Sequence, residues 1–469
     1  MTSVHWSLAA RPDVAVDSVS VLALRPTRAS AELPPVSMAA PPLRLAKSPP
    51  PEILKRLPVS SAVLELPVST PGDPDGASDD SPGGRLFEWV EVEGLSPLMP
   101  GPLRVEYTLD AELTRGVFEV LRRGRVKLGH VILLDPLTGR VLAYASTDVA
   151  AFPPTRTYPA ASLVKVITAA AALDRDREKA MLPCRYRGSP YRLTRSRIDP
   201  PRSGNVVSLR RALATSNNQC FAQLAVHAVG GEALVAAISA FGWTSVPAPA
   251  HEAGEVDISE DRYDIGRLGC GLSGCRITPL HAAQLASVLA RGERVAPRWI
   301  ERVFDASGRE LPIPAATAPR RVISHELAAE LREMLVDTTM RGTARSAFRT
   351  RSGAPRLGKV EVAGKTGSLS GKDPTGRYEW FIGVAPADEP RIAVAVLMVQ
   401  GDLWWRSASQ IAGDVLTRVF CERNRCAANH VERWLHAVPG EPEPKPSSMR
   451  PGGTLAAVTV TPRPLVSLD

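Results

Sequence analysis

Long apolar runs are missing from this 469-residue sequence. No stretch approaches the ~18 consecutive apolar residues of a membrane-spanning helix. The N-terminus shows no basic region followed by an apolar core, so no ordinary export leader is expected. Basic clusters interleaved with aromatics are also missing, which argues against nucleic acid as the partner of a chain with net charge +8. That charge suits anionic surroundings such as a cell envelope. Lysine is scarce: of 57 basic residues nine are Lys and 48 Arg. Arginine does not give up its proton in a protein, whereas lysine does. A lysine set among Val, Ile and Ala in so Arg-biased a chain is therefore a candidate for a titrating role.

Six cysteines leave the redox compartment open. Cys270 and Cys275, and Cys421 and Cys426, are each five positions apart, and on a continuous helix such residues diverge. Gly271 and Gly274 supply a turn for the first pair, and the second lies past an expected helix end. Two local disulfides and separate inert thiols both remain open. A metal site built from Cys421, Cys426 and His430 lacks a fourth ligand nearby, so neither metal nor cofactor is expected.

Hydrophobic content of 44% and charged content of 23% are those of a folded chain. The 43 prolines are unevenly spread. They mark residues 1–84 as a disordered N-terminal extension and 438–469 as a disordered tail, with a folded domain over 85–437. Two apolar pieces of the extension, Val19–Leu24 and Val63–Leu66, are too short to fold alone; docking on another surface is one reading, and a flexible tether is the expected one. Within the domain, the pattern predicts an amphipathic helix over Leu109–Arg122 and a β-hairpin whose strands flank Leu137-Thr138. Further helices are expected over Thr278–Arg291, Ser324–Thr338 and Ser407–Phe420. Strands are expected at Trp380–Ala385 and Arg391–Val399.

Three short constellations bear chemistry. In Tyr158-Pro-Ala-Ala-Ser162-Leu-Val-Lys165, a turn-like lead-in runs into an Ala-, Val- and Ile-rich helix. Ser162 falls at the helix start, and Lys165 follows three residues later on the same face. A helix N-terminus stabilises developing negative charge. An amine in an apolar setting can lose its proton and serve as a base. The bland alternative is a helix cap beside a solvated charge, and the scarcity of lysine weighs against it. Ser216 and Asn218 interrupt a helical pattern and project from a tight connection between two helices; alone they read as a cap. Alternating valines lead into Gly364-Lys365-Thr366-Gly367-Ser368 on a strand, where Gly364 and Gly367 permit close approach of a backbone or ligand. A phosphate loop is rejected: Lys359 occupies the required first glycine position, and Gly-Ser-Leu-Ser-Gly is a poor helix start.

Ser162-x-x-Lys165, Ser216-x-Asn218 and Lys365-Thr366-Gly367 occur in this order. They are accompanied by Leu209–Asn218, Ile277–Ala286 and Gly342-Thr-Ala-Arg345. From about residue 105 to 420 the chain resembles the transpeptidase domain of penicillin-binding proteins, the serine acyl-transferase family shared with class A β-lactamases. The resemblance implies an α/β (α+β) fold: an antiparallel β-sheet flanked by helices plus an all-helical lobe, with disordered termini. It implies a D,D-transpeptidase in which Ser162 forms an acyl-enzyme, Lys165 takes its proton and Ser216 relays a proton to the leaving group. Asn218 would hold the substrate amide, Lys365, Thr366 and Gly367 the carboxylate end. Backbone N–H groups of Ser162 and Ser368 would form the oxyanion hole.

The implied partners are peptidoglycan stem peptides, β-lactams and a separate glycosyltransferase, since no glycan-polymerising domain or membrane anchor is visible. The implied place is the periplasm or cell envelope. Other readings are a D,D-carboxypeptidase, a β-lactamase, or a non-catalytic penicillin-binding sensor or scaffold. A class A lactamase positions water with a Glu; Glu252 and Glu255 lack the Glu-x-x-Leu-Asn pattern and read as solvated loop residues. A dead scaffold would have lost a motif side chain, and none is lost.

Overall fold

The computed structural model describes residues 85–90, 102–400, 405–423 and 425–435, together with Leu54, Leu57, Val59, Leu64 and Glu65. The tail over 438–469 and most of the 1–84 extension lie outside the described residues. Leu54, Leu57, Val59 and Leu64, although inside the expected extension, are buried in the main core. Leu64 belongs to the Val63–Leu66 piece, and the indole Nε1 of Trp299 donates to the Leu57 carbonyl at 3.2 Å.

Strand β1 (Leu103–Asp110) runs into α1 (Ala111–Arg123), where Asp110 caps the helix by accepting from the Leu113 amide. Strands β2 (Leu128–Leu134) and β3 (Val141–Ser146) form the expected hairpin. The nucleophile segment leads into α2 (Val164–Arg175), and the second motif joins α3 (Leu209–Ala214) to α4 (Asn218–Leu224). Helices α5 (Arg262–Cys270), α6 (Pro279–Arg291) and α7 (His325–Met340) follow, capped by Asp261, Thr278 and Ser324. The chain then folds into β4 (Ala363–Lys372), β5 (Thr375–Ala385), β6 (Ile392–Gln400) and α8 (Ala408–Phe420).

The main sheet is antiparallel throughout, in the order β4-β5-β6-β2-β3. Successive residues of β6 enter different cores. Ile392, Val394, Val396 and Met398 pack with α1 and α8, and Ala393, Ala395 and Leu397 face the helical side. Burial on both faces explains why this strand is an unbroken apolar run in the sequence instead of an alternating one. Each fully buried Val, Leu or Ile contributes about 1.5–3 kcal/mol.

On the helical side, α6 lies across β5 and β6, and α7 lies along β4. Helix α2 packs against α4, α5 and α7 and is buried around most of its circumference, as an Ala-rich helix without a polar face requires. Strand β4 is an edge strand, so one side of its backbone is open beside the helical lobe. Among the described residues no single helix is long and apolar enough to cross a membrane.

The structure settles the alternatives left open for the cysteines, one for each pair, and adds a bridge that no expectation covered. Cys421 is bonded to Cys426, and the other disulfide joins Cys184 to Cys220. Cys270 and Cys275 are buried free thiols. Both sulfurs of the considered metal trio are thus consumed, and His430 Nδ1 is bonded to the Phe420 carbonyl at 2.9 Å.

Candidate active site

The lead-in to the nucleophile is held from three sides. Tyr158 and Pro159 pair with Ile277 and Arg276, and the Ala160 amide donates to the Cys275 carbonyl at 3.0 Å. Trp380 Nε1, from β5, donates to the Pro159 carbonyl at 2.8 Å. Glu252 and Glu255 are exposed, as expected of solvated residues, and each also accepts a hydrogen bond. Glu252 accepts from the Thr157 amide at 2.8 Å and Glu255 from the Thr157 hydroxyl at 3.1 Å, tying down the residue just before Tyr158.

Ser162 sits in a single 3-10 turn, Ala161–Leu163, directly ahead of α2. Ala161 adopts φ +49°, a conformation that costs a non-glycine residue about 1–3 kcal/mol. The surroundings enforce it. A Cβ on Gly271 would lie 1.9 Å from the Ala161 carbonyl oxygen, so only glycine fits behind the turn. Strand β4 closes in from the opposite side: a Cβ on Gly367 would lie 3.3 Å from the Ala161 Cβ and 3.4 Å from the Ser162 amide nitrogen. The close approach expected at Gly367 is therefore to the nucleophile turn itself, whereas Gly364 faces the Phe381 ring.

Lys165 is fully buried, and its Nζ reaches three oxygens: Ser162 Oγ at 2.6 Å, Asn218 Oδ1 at 2.8 Å and the Cys270 carbonyl at 2.7 Å. Burial lowers its pKa to about 8, with the neighbouring Cys270 thiol opposing the shift. None of the three partners is a carboxylate, so nothing strongly holds the proton on. Lys365 is also fully buried, with Nζ 2.9 Å from Ser216 Oγ and 2.8 Å from the Thr366 carbonyl. Burial, and then the charge of Lys165, push its pKa well below the ordinary lysine range. Ser216, the middle of the α3–α4 connection, adopts φ +56°. The two strained non-glycine residues at the site thus carry Ser216 and precede Ser162.

All eight expected site residues come together: Ser162, Lys165, Ser216 and Asn218 from the helical lobe, and Lys365, Thr366, Gly367 and Ser368 from the edge strand. Asn218 is turned inward, its Nδ2 donating to the Tyr191 carbonyl at 2.8 Å. Sequence reasoning missed several supports. Thr343 bonds the Thr366 hydroxyl at 2.6 Å, and its only signal was its place in Gly342-Thr-Ala-Arg345. Arg377 Nε donates to Ser368 Oγ at 2.6 Å. The carbonyls of Cys270 and Tyr191 had no signal, because a backbone group acts whatever side chain it bears.

A nucleophile-plus-amine pair at a helix entrance, facing a second lysine on a sheet edge, defines a serine acyl-transferase site. Residues 129–420 match the penicillin binding protein transpeptidase domain, and the chain belongs to that family. It is 29% identical over 362 residues to the peptidoglycan D,D-transpeptidase PbpA of Mycobacterium tuberculosis, a match spanning 68% of this chain and 71% of that protein. The crystal structure of PBPA from M. tuberculosis superposes with a TM-score of 0.57 at 26% identity, over 68% of this chain and 83% of that one. The ceftriaxone acyl-enzyme complex of the same protein gives 0.56 at 26% identity, over 68% and 79% of the two chains.

Proposed function

We propose that this protein is a peptidoglycan D,D-transpeptidase that cross-links stem peptides through an acyl-enzyme on Ser162 and is covalently inhibited by β-lactams. The observation that carries this reading is the 2.6 Å contact between Ser162 Oγ and a fully buried Lys165 Nζ whose pKa falls to about 8. The activity printed for the mycobacterial relative and the acyl-enzyme formed by its structural counterpart support it.

Neutral Lys165 takes the Ser162 proton as Oγ attacks the carbonyl carbon of the D-Ala-D-Ala bond. The oxyanion is received by the backbone N–H groups of Ser162 and Ser368, where loss of one donor costs about 3 kcal/mol of barrier. The C–N bond then breaks and Ser216 passes a proton to the departing D-Ala amine. An acceptor amine attacks the ester and frees Ser162. The terminal carboxylate sits against Lys365 and Thr366, and its charge favours protonated Lys365. Open backbone groups of β4 are suited to pair with the extended stem peptide. Asn218 positions Lys165; contact with the substrate amide exchanges its bond to the Tyr191 carbonyl.

The site of action is the periplasm or cell envelope, where stem peptides are found. The Cys184–Cys220 and Cys421–Cys426 disulfides accord with an oxidising compartment. Glycan polymerisation is assigned to a glycosyltransferase partner.

Fluorescent penicillin will label the purified protein, with a mass increase of one intact penicillin, and Ser162→Ala will take up none. Persistent labelling of Ser162→Ala would overturn the site assignment. Penicillin turnover at many per second would make the protein a lactamase. Release of D-Ala without any cross-linked product in the presence of acceptor would make it a carboxypeptidase.

Acylation will depend on pH in one direction. The neutral amine is the active form, so below the Lys165 pKa of about 8 the rate falls as pH falls, about tenfold per unit well below that value. Above it the rate levels. A flat stopped-flow profile from roughly pH 6 to 9 would remove Lys165 from the role of base.

A further inference from the structure

The chain's positive charge is concentrated beside the site. Residues 175–211 hold eleven basic and three acidic side chains, a net +8 that equals the net charge of the whole sequence. Within this stretch Arg185, Arg187, Arg192 and Arg202 are exposed and Arg197 is half-buried. Many surface arginines are matched by acids, as in Arg302–Glu310 and Arg321–Glu293, and within this stretch Arg177 and Arg195 are matched by Glu330 and Asp261. These five are not. Arg185, Arg187 and Arg197 donate only to backbone carbonyls or the Ser203 hydroxyl, and Arg192 and Arg202 have no side-chain partner among the described residues.

This segment is fastened to the helix that presents Asn218. The Gln219 amide donates to the carbonyls of Arg187 and Ser189 at 2.9 and 2.7 Å, and the Gln223 amide to that of Arg185 at 3.0 Å. Cys220 holds Cys184 by the disulfide. The Asn218 amide nitrogen reaches the Tyr191 carbonyl, and its oxygen reaches Lys165, which reaches Ser162. Three hydrogen bonds therefore separate the Arg-rich segment from the nucleophile. Tyr191, 55% exposed, lies between Arg187 and Arg192 along it.

We propose that the Arg185–Arg202 segment is an anion-binding surface that captures carboxylates on the stem peptides of an uncross-linked peptidoglycan strand and so holds the strand at the active site. The inference rests on the transpeptidase reading. An uncross-linked strand bears a free terminal carboxylate on each intact stem peptide and is therefore a polyanion. A patch of planar guanidinium forks beside a site that takes one such terminus at a time is complementary to its neighbours.

The test uses Arg187→Gln/Arg192→Gln/Arg202→Gln in the full chain, with soluble uncross-linked peptidoglycan strands as the probe. We expect the triple variant to bind the strands about tenfold more weakly at low salt, with the gap closing at high salt as exposed charges are screened. Cross-linking should show a raised KM with kcat nearly unchanged, and strands whose carboxylates have been amidated should bind both proteins equally weakly. Acylation by penicillin, which is too small to span the patch, and the urea unfolding midpoint should match the parent. Equal strand affinity of variant and parent, with normal acylation in both, would overturn the inference and leave the transpeptidase reading intact. Failure of the parent to be acylated would instead remove that reading. Binding that survives amidation, or a charge-dependent affinity seen only for phosphatidylglycerol vesicles, would overturn carboxylate capture.

Discussion

Replacing Lys165 by arginine or methionine will slow acylation of Ser162 by roughly a thousandfold, within the range general-base catalysis supplies. Arginine keeps the charge but cannot release its proton, so Ser162 would lie beside a cation that stabilises the alkoxide without accepting its proton. Methionine removes the base altogether and fits an apolar setting. The two variants will differ in stability. Lys165 is fully buried with three neutral oxygen partners and no carboxylate, and a buried charge so placed carries a desolvation penalty. Lys165→Met should therefore hold or raise the melting temperature while activity collapses, the usual relation between a functional group and the fold that tolerates it. Lys165→Arg should lower it, because a larger permanent charge must occupy the same space. Stopped-flow acylation and thermal unfolding read both effects. A Lys165→Met enzyme within tenfold of the parent rate would show that another group takes the Ser162 proton.

Removing the Cys184–Cys220 disulfide will have the largest effect on stability among single cross-link changes. The bridge spans a sequence separation of 36, and the loop-closure relation gives about 4 kcal/mol for a loop of that size. Cys421–Cys426 spans a separation of only 5, for which the same relation gives about 2 kcal/mol. Urea unfolding of Cys184→Ser/Cys220→Ser and Cys421→Ser/Cys426→Ser will show whether the order holds. The first variant should also weaken the Asn218–Tyr191 contact, since the disulfide holds strand 184–186 to the helix that begins at Asn218. A lower acylation rate in the first variant and not in the second would report that coupling. Equal stability losses would mean the longer loop is already confined by the Gln219 and Gln223 bonds.

Much of the fold was legible because its signals are local. Asp110, Thr278, Ser324 and Ser407 each cap the helix that follows, and a cap acts on amides two or three residues away. The unbroken apolar runs that became β5 and β6 were legible for the same reason. Ser162 and Lys165 were legible as a spacing, since they lie within one turn and their meeting required little beyond it; Ser216 and Asn218 alone read as a cap, and it was the family resemblance that placed them and Lys365 at one site.

What was not legible depended on distant packing. Cys184 and Cys220 carried no expectation; they meet across a separation of 36 where Gln223 and Gln219 hold the carbonyls of Arg185 and Arg187 beside the helix. Cys270 and Cys275, for which a bridge and separate thiols were both open, remain thiols, and their backbone carbonyls hold Lys165 and Ala160. Glu252 and Glu255 are exposed as expected, but their bonds to Thr157 depend on a contact about 95 residues away in sequence.

The residue order alone thus singled out Ser162 and Lys165 as candidates for acyl chemistry, because a serine and a proton-releasing lysine one helical turn apart are chemical types visible without coordinates, and the resemblance added the rest. Only the tertiary structure decided that Lys165 would be fully buried with its amine 2.6 Å from Ser162 Oγ. Its altered pKa comes from exclusion of water by α4, α5 and the sheet edge, and desolvation is a property of what surrounds a group, not of the group itself.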